Sequence, residues 1–175
     1  DTNRESGTVP EQKSVVWDLA RRATLRSDWS ENAVAAQINV DGGRNRTHGQ
    51  NDDLGLNVYG YGSPLLMEST HMDYNYKTPV TGWLLSSKAV NSIEINNVTQ
   101  KGAYGVNVEA LGEAIDTYAF GEPGDMHPEN RELNDMYNFL RSETVNYQDH
   151  PLLSDSFKLF RDVLFVAPFF IVTDY

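Results

Sequence analysis

Leu54-Gly-Leu-Asn-Val-Tyr-Gly-Tyr-Gly-Ser-Pro-Leu-Leu-Met67 is the stretch that decides the fold class. Leu54 to Tyr59 alternates with the period of a half-buried strand, Gly60 to Pro64 supplies turn residues, and Leu65 to Met67 opens the next apolar run. The same pattern continues on both sides. Ala33 to Val40 is strand-like and stops at Asp41-Gly-Gly43, and Ser92 to Asn96 alternates and stops at Asn96-Asn97. Val106–Ala110 and Ile115–Phe120 are further candidates before a Gly/Pro loop from Gly121 to Pro128, and Thr144–Tyr147, Phe157–Phe165 and Phe169–Asp174 complete the set. Many short strands with Gly, Pro and Asn turns predict an all-β fold, an antiparallel β-sandwich. One short inserted helix is expected over residues 129–140, where Leu133, Met136, Tyr137 and Leu140 share a helical face behind Pro128 and Glu129. The apolar pair from Arg161 to Asp174 reads as buried, and a buried strand needs neighbours on both sides. Residues 1–175 are therefore expected to be a single sandwich module of a larger chain, with the sheet continuing past Tyr175.

Composition narrows the partners. A formal net charge of −11, with only 14 Lys and Arg, weighs against nucleic acid, which requires a basic footprint. It leaves room for a local basic cleft, and Arg44, Arg46 and His48 are the candidate. No apolar run approaches the roughly 20 residues needed to span a bilayer, and the longest, Val163 to Thr173, is broken by Pro168, so no membrane partner is expected. Cysteine is absent, which excludes disulfides and thiolate metal sites.

Two polar clusters carry the candidate chemistry. In Arg44-Asn-Arg-Thr-His-Gly-Gln-Asn-Asp-Asp53, an extended backbone aims His48, Gln50 and Asp52 to one side. That face serves either as a ligand or catalytic edge or as a hydrogen-bonded strand start. In Glu68-Ser-Thr-His-Met-Asp-Tyr-Asn-Tyr76, a carboxylate at a strand end precedes His71, Tyr74 and Tyr76, which are acid/base candidates or simply members of a Tyr-rich surface loop. No nucleophile elbow, P-loop or dinucleotide turn is present. His127 and His150 are assigned to surface loops.

Several segments in order resemble the heparinase II/III-like polysaccharide lyase family. They are Thr24-Leu-Arg-Ser-Asp-Trp29, Thr47-His-Gly-Gln-Asn-Asp52, Leu54 to Glu68, Trp83 to Ile93 and Arg161 to Asp174, which match a "vlRs.w" strand, an H-x-H-x-D loop, an "ayG.plL.D.G" strand, an "st.aHNtv" stretch and an "R.v.fv.p.y.vv.D" strand. The resemblance implies a β-sandwich preceded by an α/α-toroid domain, with a cleft between them in which uronate-containing chains are cleaved by β-elimination. It implies a bacterial protein, secreted or periplasmic, whose partners are an acidic polysaccharide or oligosaccharide and the toroid domain that supplies the principal Tyr, His and Asn.

Carried over position by position, the resemblance gives a catalytic set of His48, Tyr74 and Tyr76 and a substrate-binding set of Arg44, Arg46, Gln50, Asp52, His71 and Asn91. His48 matches the substrate-facing His and Asp52 the motif's Asp, while Gln50 and Glu68 stand where the family has a metal-binding His and Asp, and Val90 where it has the His before Asn91. Loss of two histidines argues against zinc. Gln50 and Glu68, with His71, suit calcium or manganese instead; a metal-free hydrogen bond between Gln50 and Glu68 is the other option. Two further functions stay open: a non-catalytic carbohydrate-binding or structural sandwich, and a sugar hydrolase using Asp52 and Glu68 as its carboxylate pair.

Overall fold

A computed structural model describes residues 7–40, 50–69, 78–101 and 124–175. They form two antiparallel sheets. The first runs β1 (Val15–Trp17), β2 (Arg22–Arg26), β3 (Ala35–Asn39), β4 (Leu56–Gly60) and β5 (Ser63–Leu66), each strand beside the next; the second runs β6 (Arg131–Leu133), β7 (Asn138–Tyr147), β8 (Phe157–Val166) and β9 (Phe169–Asp174) in the same manner. The predicted β-sandwich is thus the observed fold. Period-two patterning builds its core, with Ala23, Leu25, Ala36, Ile38 and Leu56 inward from the first sheet and Leu140, Leu159, Val163 and Phe165 inward from the second. Each large side chain among them contributes about 1.5–3 kcal/mol by burial. The turn between β4 and β5 is tighter than expected: Tyr61 and Gly62 both have positive φ, 55° and 74°, the backbone that a two-residue hairpin of primed type requires.

The helix is elsewhere than the periodicity predicts. Residues 131–140 are a β-hairpin, with Leu133 paired to Asn138 and Arg131 to Leu140, preceded by a single 3₁₀ turn at Pro128–Asn130. Asn134 Oδ1 accepts from the backbone N–H of both Met136 and Tyr137 at 2.9 Å, and this side-chain cap closes a turn where a helix would need its backbone free. Met136, expected on an apolar face, is 78% exposed. The short helix is instead α1 (Pro79–Leu85), started by Thr78, whose hydroxyl accepts from Thr81 N, and by Pro79 in the first turn.

Two more expectations are corrected. Ser92 to Asn96 forms no strand; Ile95 and Val98 make an isolated bridge around Asn96 and Asn97, both at positive φ. β9 is not buried but is the edge of its described sheet, with Phe169 and Ile171 largely exposed and only Phe170 turned to the core, where it stacks on Phe165. The candidates at 106–110 and 115–120 lie outside the described residues.

One inward position of β8 is not apolar. Arg161, between Leu159 and Val163, is 5% exposed, and a buried guanidinium must find acceptors. Its Nε and Nη2 form a fork to Asp174 Oδ1 and Oδ2, both at 2.7 Å, and Nη1 donates across the sandwich to the carbonyls of Leu54 and Asn91. The guanidinium thereby ties β8, β9 and the start of β4 together.

Neither His127 nor His150 is a surface-loop residue. His150 is 4% exposed, its Nδ1 accepts from Leu152 N, and its ring packs near Tyr147. His127 has a left-handed backbone (φ 39°) and stands between two carboxylates, Nδ1 at 2.7 Å from Glu129 and Nε2 at 3.1 Å from the buried Glu143, which also meets Lys158 at 2.8 Å. Burial alone would lower the imidazole's pKa; the hydrogen bonds from Glu129 and Glu143, with the nearby charge of Asp125, overcome it and raise the value. A raised folded-state pKa adds stability that is complete below the unfolded imidazole value of about 6.5 and is lost as pH rises through the folded value. Unfolding titrations in urea between about pH 6 and 8 should therefore show stability falling, and His127→Gln should flatten that slope. An unchanged slope in the variant would assign the pH dependence to another group.

Candidate functional site

Val40 and Gln50 bracket the residues that include Arg44, Arg46 and His48. Those three, with His71, Tyr74 and Tyr76, lie outside the described residues. The described residues adjoining them in the chain belong to a polar end of the first sheet, built from the ends of β3, β4 and β5 and the segment 50–56.

That segment is stitched to its surroundings at nearly every residue. Gln50 Nε2 donates to the carbonyls of Ser69 and Leu84 at 2.9 and 3.0 Å. Asn51 donates through its backbone to Leu85 and through its side chain to the Gln100 carbonyl. Asp52, 8% exposed, accepts from Asn39 Nδ2 at 2.6 Å. Asn91 Nδ2 donates to Leu56 O, and Leu56 N returns a bond to Asn91 O. Gln50, Asp52 and Asn91 are thus brought to one end of the sheet, each holding backbone or a neighbour in place.

Asp53 is a residue that the sequence reading did not single out. It stands in the turn at residues 53–54 just before β4, with Leu54 at positive φ (62°), and is 1% exposed. Its Oδ2 accepts from Thr144 Oγ1 at 2.8 Å and Asn146 Nδ2 at 2.6 Å, both on β7, while its backbone N–H and carbonyl bond the Gln100 amide at 3.1 and 2.9 Å. Periodicity offered no signal for it, because the chain turns at residues 53–54 and Asp52 beside it is buried as well.

Beside this hub three oxygens surround Gly55. A Cβ there would lie 2.6 Å from Asp52 O and 3.5 Å from both Asn39 Oδ1 and Glu68 Oε2, so only glycine lets the chain pass. Asn39 Oδ1 is buried and has no hydrogen-bond partner among the described residues. Glu68 is positioned by its own backbone N–H, which donates to Asn57 Oδ1 at 2.8 Å. Asn39 and Asn57 were not predicted; both are outward positions of strands, which alternation alone marks only as exposed.

These atoms bear on the metal expectation. Both N–H groups of Gln50 go to carbonyls, so the expected Gln50–Glu68 hydrogen bond is not formed, and only its Oε1 remains to offer a cation. Among the described residues no three His, Asp or Glu side chains gather into a metal-holding group. The donors described here, Asn39 Oδ1, Gln50 Oε1 and the Glu68 carboxylate, are oxygens.

No protein-family model and no curated protein matches the chain. Solved structures do. A heparinase III gene product superposes with a TM-score of 0.72 at 17% identity over 97% of this chain. Heparan sulfate lyase HepC from Pedobacter heparinus gives 0.71 at 16% over 97%, and a further heparinase III gives 0.71 at 17% over 96%. The chain spans 23% of the length of each. At this identity the likeness is one of fold, and it agrees with the resemblance read from the ordered motifs.

The hub makes a stability prediction. Asp53→Ala leaves the Thr144 hydroxyl and the Asn146 amide buried without their acceptor, which should cost on the order of 3 kcal/mol in urea unfolding. Gln50→Ala, at a half-buried position, should cost about 1 kcal/mol. Equal losses at the two positions would show that Asp53 is not the dominant tie.

Proposed function

We propose that the chain is the β-sandwich part of a polysaccharide lyase that cleaves a uronate-containing polymer, alginate-like or glycosaminoglycan-like, by β-elimination. The observation that carries the reading is the fold likeness to heparinase III and heparan sulfate lyase over nearly the whole chain, joined to the family-like motifs that occur along it in order. The activity belongs to the whole protein, with an α/α-toroid domain completing the cleft, and the protein is secreted or periplasmic.

In this reading the reaction needs a base for the C5 proton of the uronate, neutralisation of its carboxylate and an acid for the leaving glycosidic oxygen. His48 is assigned to the cleft edge, as a neutral base or a charged partner for the carboxylate, tuned by Arg44 and Arg46 on one side and Asp52 on the other. Tyr74 and Tyr76 are assigned to acid/base work, and Arg44, Arg46 and His71 to the polymer. The firm holding of Val40 and Gln50, the described residues on either side, supports the assignment, because a proton-transfer group must be held within about 3 Å of its target. A cation at Glu68 and Gln50 Oε1 would be calcium or manganese and would serve as a tie between strand end and loop. The hydrolase alternative draws no support from Asp52, whose carboxylate is buried and bonded to Asn39.

His48→Ala in the full-length protein should lower release of unsaturated sugar, followed by its ultraviolet absorbance, by roughly 100-fold or more with the melting temperature unchanged. Full activity with a destabilised domain would instead make His48 a structural residue. Metal analysis after dialysis should find well below one zinc per chain; one full equivalent would require other ligands, with His48 and His71 the first to test.

A further inference from the structure

Among the described residues, the opposite end of the first sheet holds a guanidinium without a counter-ion. On the outer face, Arg26, Ala35, Tyr59 and Pro64 stand in register across β2, β3, β4 and β5. Ala35 is the small member of that row, so Arg26 and Tyr59 face each other over it, two strand spacings or about 10 Å apart. The result is a hollow of about 400 Å³ with Ala33 and Ala35 among its lining residues and Gly60 and Gly62 at the hairpin side.

Arg26 is the unusual wall. Among the described residues its guanidinium has no hydrogen-bond acceptor and no carboxylate partner, and its Nε is buried unpaired. An unpaired buried donor costs about 1–3 kcal/mol, and a chain of net charge −11 has carboxylates to spare. The neighbouring Asp28 is committed elsewhere: it accepts from Ser30 N at 2.7 Å and Ser27 Oγ at 2.8 Å. Those bonds, with Val34 N donating to Ser27 Oγ, fix the turn that carries Trp29, whose ring lies 4.6 Å from the guanidinium carbon. Trp29 thus braces the cation from one side while the hollow lies open, and Tyr59, 42% exposed, supplies an aromatic surface across it.

We propose that this hollow is a binding subsite for an acidic sugar unit, with Arg26 taking the sugar carboxylate and Tyr59 packing against the ring. The planar guanidinium fork matches a carboxylate, and a hollow floored by alanine with an aromatic wall matches a sugar's apolar face. Glu31 at its rim opposes the anion and sets a moderate affinity. The subsite lies one strand length, about 13 Å, from the polar end that holds Asp52 and Glu68. It goes beyond the lyase reading, because it requires binding and no turnover.

The test is an amide-resolved NMR titration of the 175-residue chain with an unsulfated tetrauronate and, separately, with neutral cellotetraose. Tetrauronate should shift signals around residues 26–35 and 59–64. Arg26→Met should weaken it roughly tenfold or more, the scale of one charge-assisted pair. Glu31→Gln should tighten tetrauronate and leave cellotetraose unchanged; being an exposed substitution, it remains informative if Arg26→Met does not fold. Equal binding of the two sugars, wild-type affinity in Arg26→Met, no effect of Glu31→Gln, or shifts confined to residues 50–69 would each overturn the proposal. Absence of unsaturated product from the full-length protein would overturn the lyase reading alone.

Discussion

A carboxylate buried between two sheets is the constraint on which the rest of this molecule depends. Asp53 sits where β4 begins, and its bonds to Thr144 and Asn146 join the first sheet to β7 of the second. Arg161 makes the complementary tie from β8, reaching Leu54 and Asn91 on the first sheet while held by Asp174 on β9. A buried charge whose partners are withdrawn is strongly destabilising, so each tie demands one register of strands and one approach of the sheets. The apolar core alone would tolerate several packings. The polar ties select among them.

Function and scaffold are therefore hard to separate at this end of the sandwich. The motifs that resemble the lyase family contain these ties: Arg161 and Asp174 are the first and last residues of one motif and form a bidentate pair across β8 and β9, and Asp53 follows directly on another. Gln50 and Asn91 hold neighbouring backbone, and Asp52 is bonded to Asn39. In the proposed reading, anchoring on strand ends would give the site its precision. The same logic extends to the far end of the sheet, where a hydrogen-bonded turn positions Trp29 against Arg26.

The misplacement of the helix has a definite physical cause. Leu133, Tyr137 and Leu140 satisfy a 3.6 period, yet the interval between Leu133 and Leu140 also suits a hairpin whose strands flank a turn. Periodicity over a dozen residues does not separate the two, and the side chain of Asn134 decides by capping the turn. The real helix, seven residues long, is too short to show a period. Its signal was local: Thr78 followed by Pro79, a cap and a first-turn residue.

By itself the sequence determined the sandwich class, most of the described strands and the order of the family-like motifs, because alternation and turn residues act over a few neighbours along the chain. It pointed to Gln50, Asp52 and Glu68 for the same reason, and to Asn91 only through the family resemblance. It did not reveal the partner of Asp53 ninety-one residues away at Thr144, the reach of Arg161 to Leu54, or the juxtaposition of Arg26 with Tyr59 across Ala35. Those depend on sheet register and on the packing of one sheet against the other. Register is set by the sum of contacts over whole strands, and only the folded chain brings such distant residues within hydrogen-bonding distance.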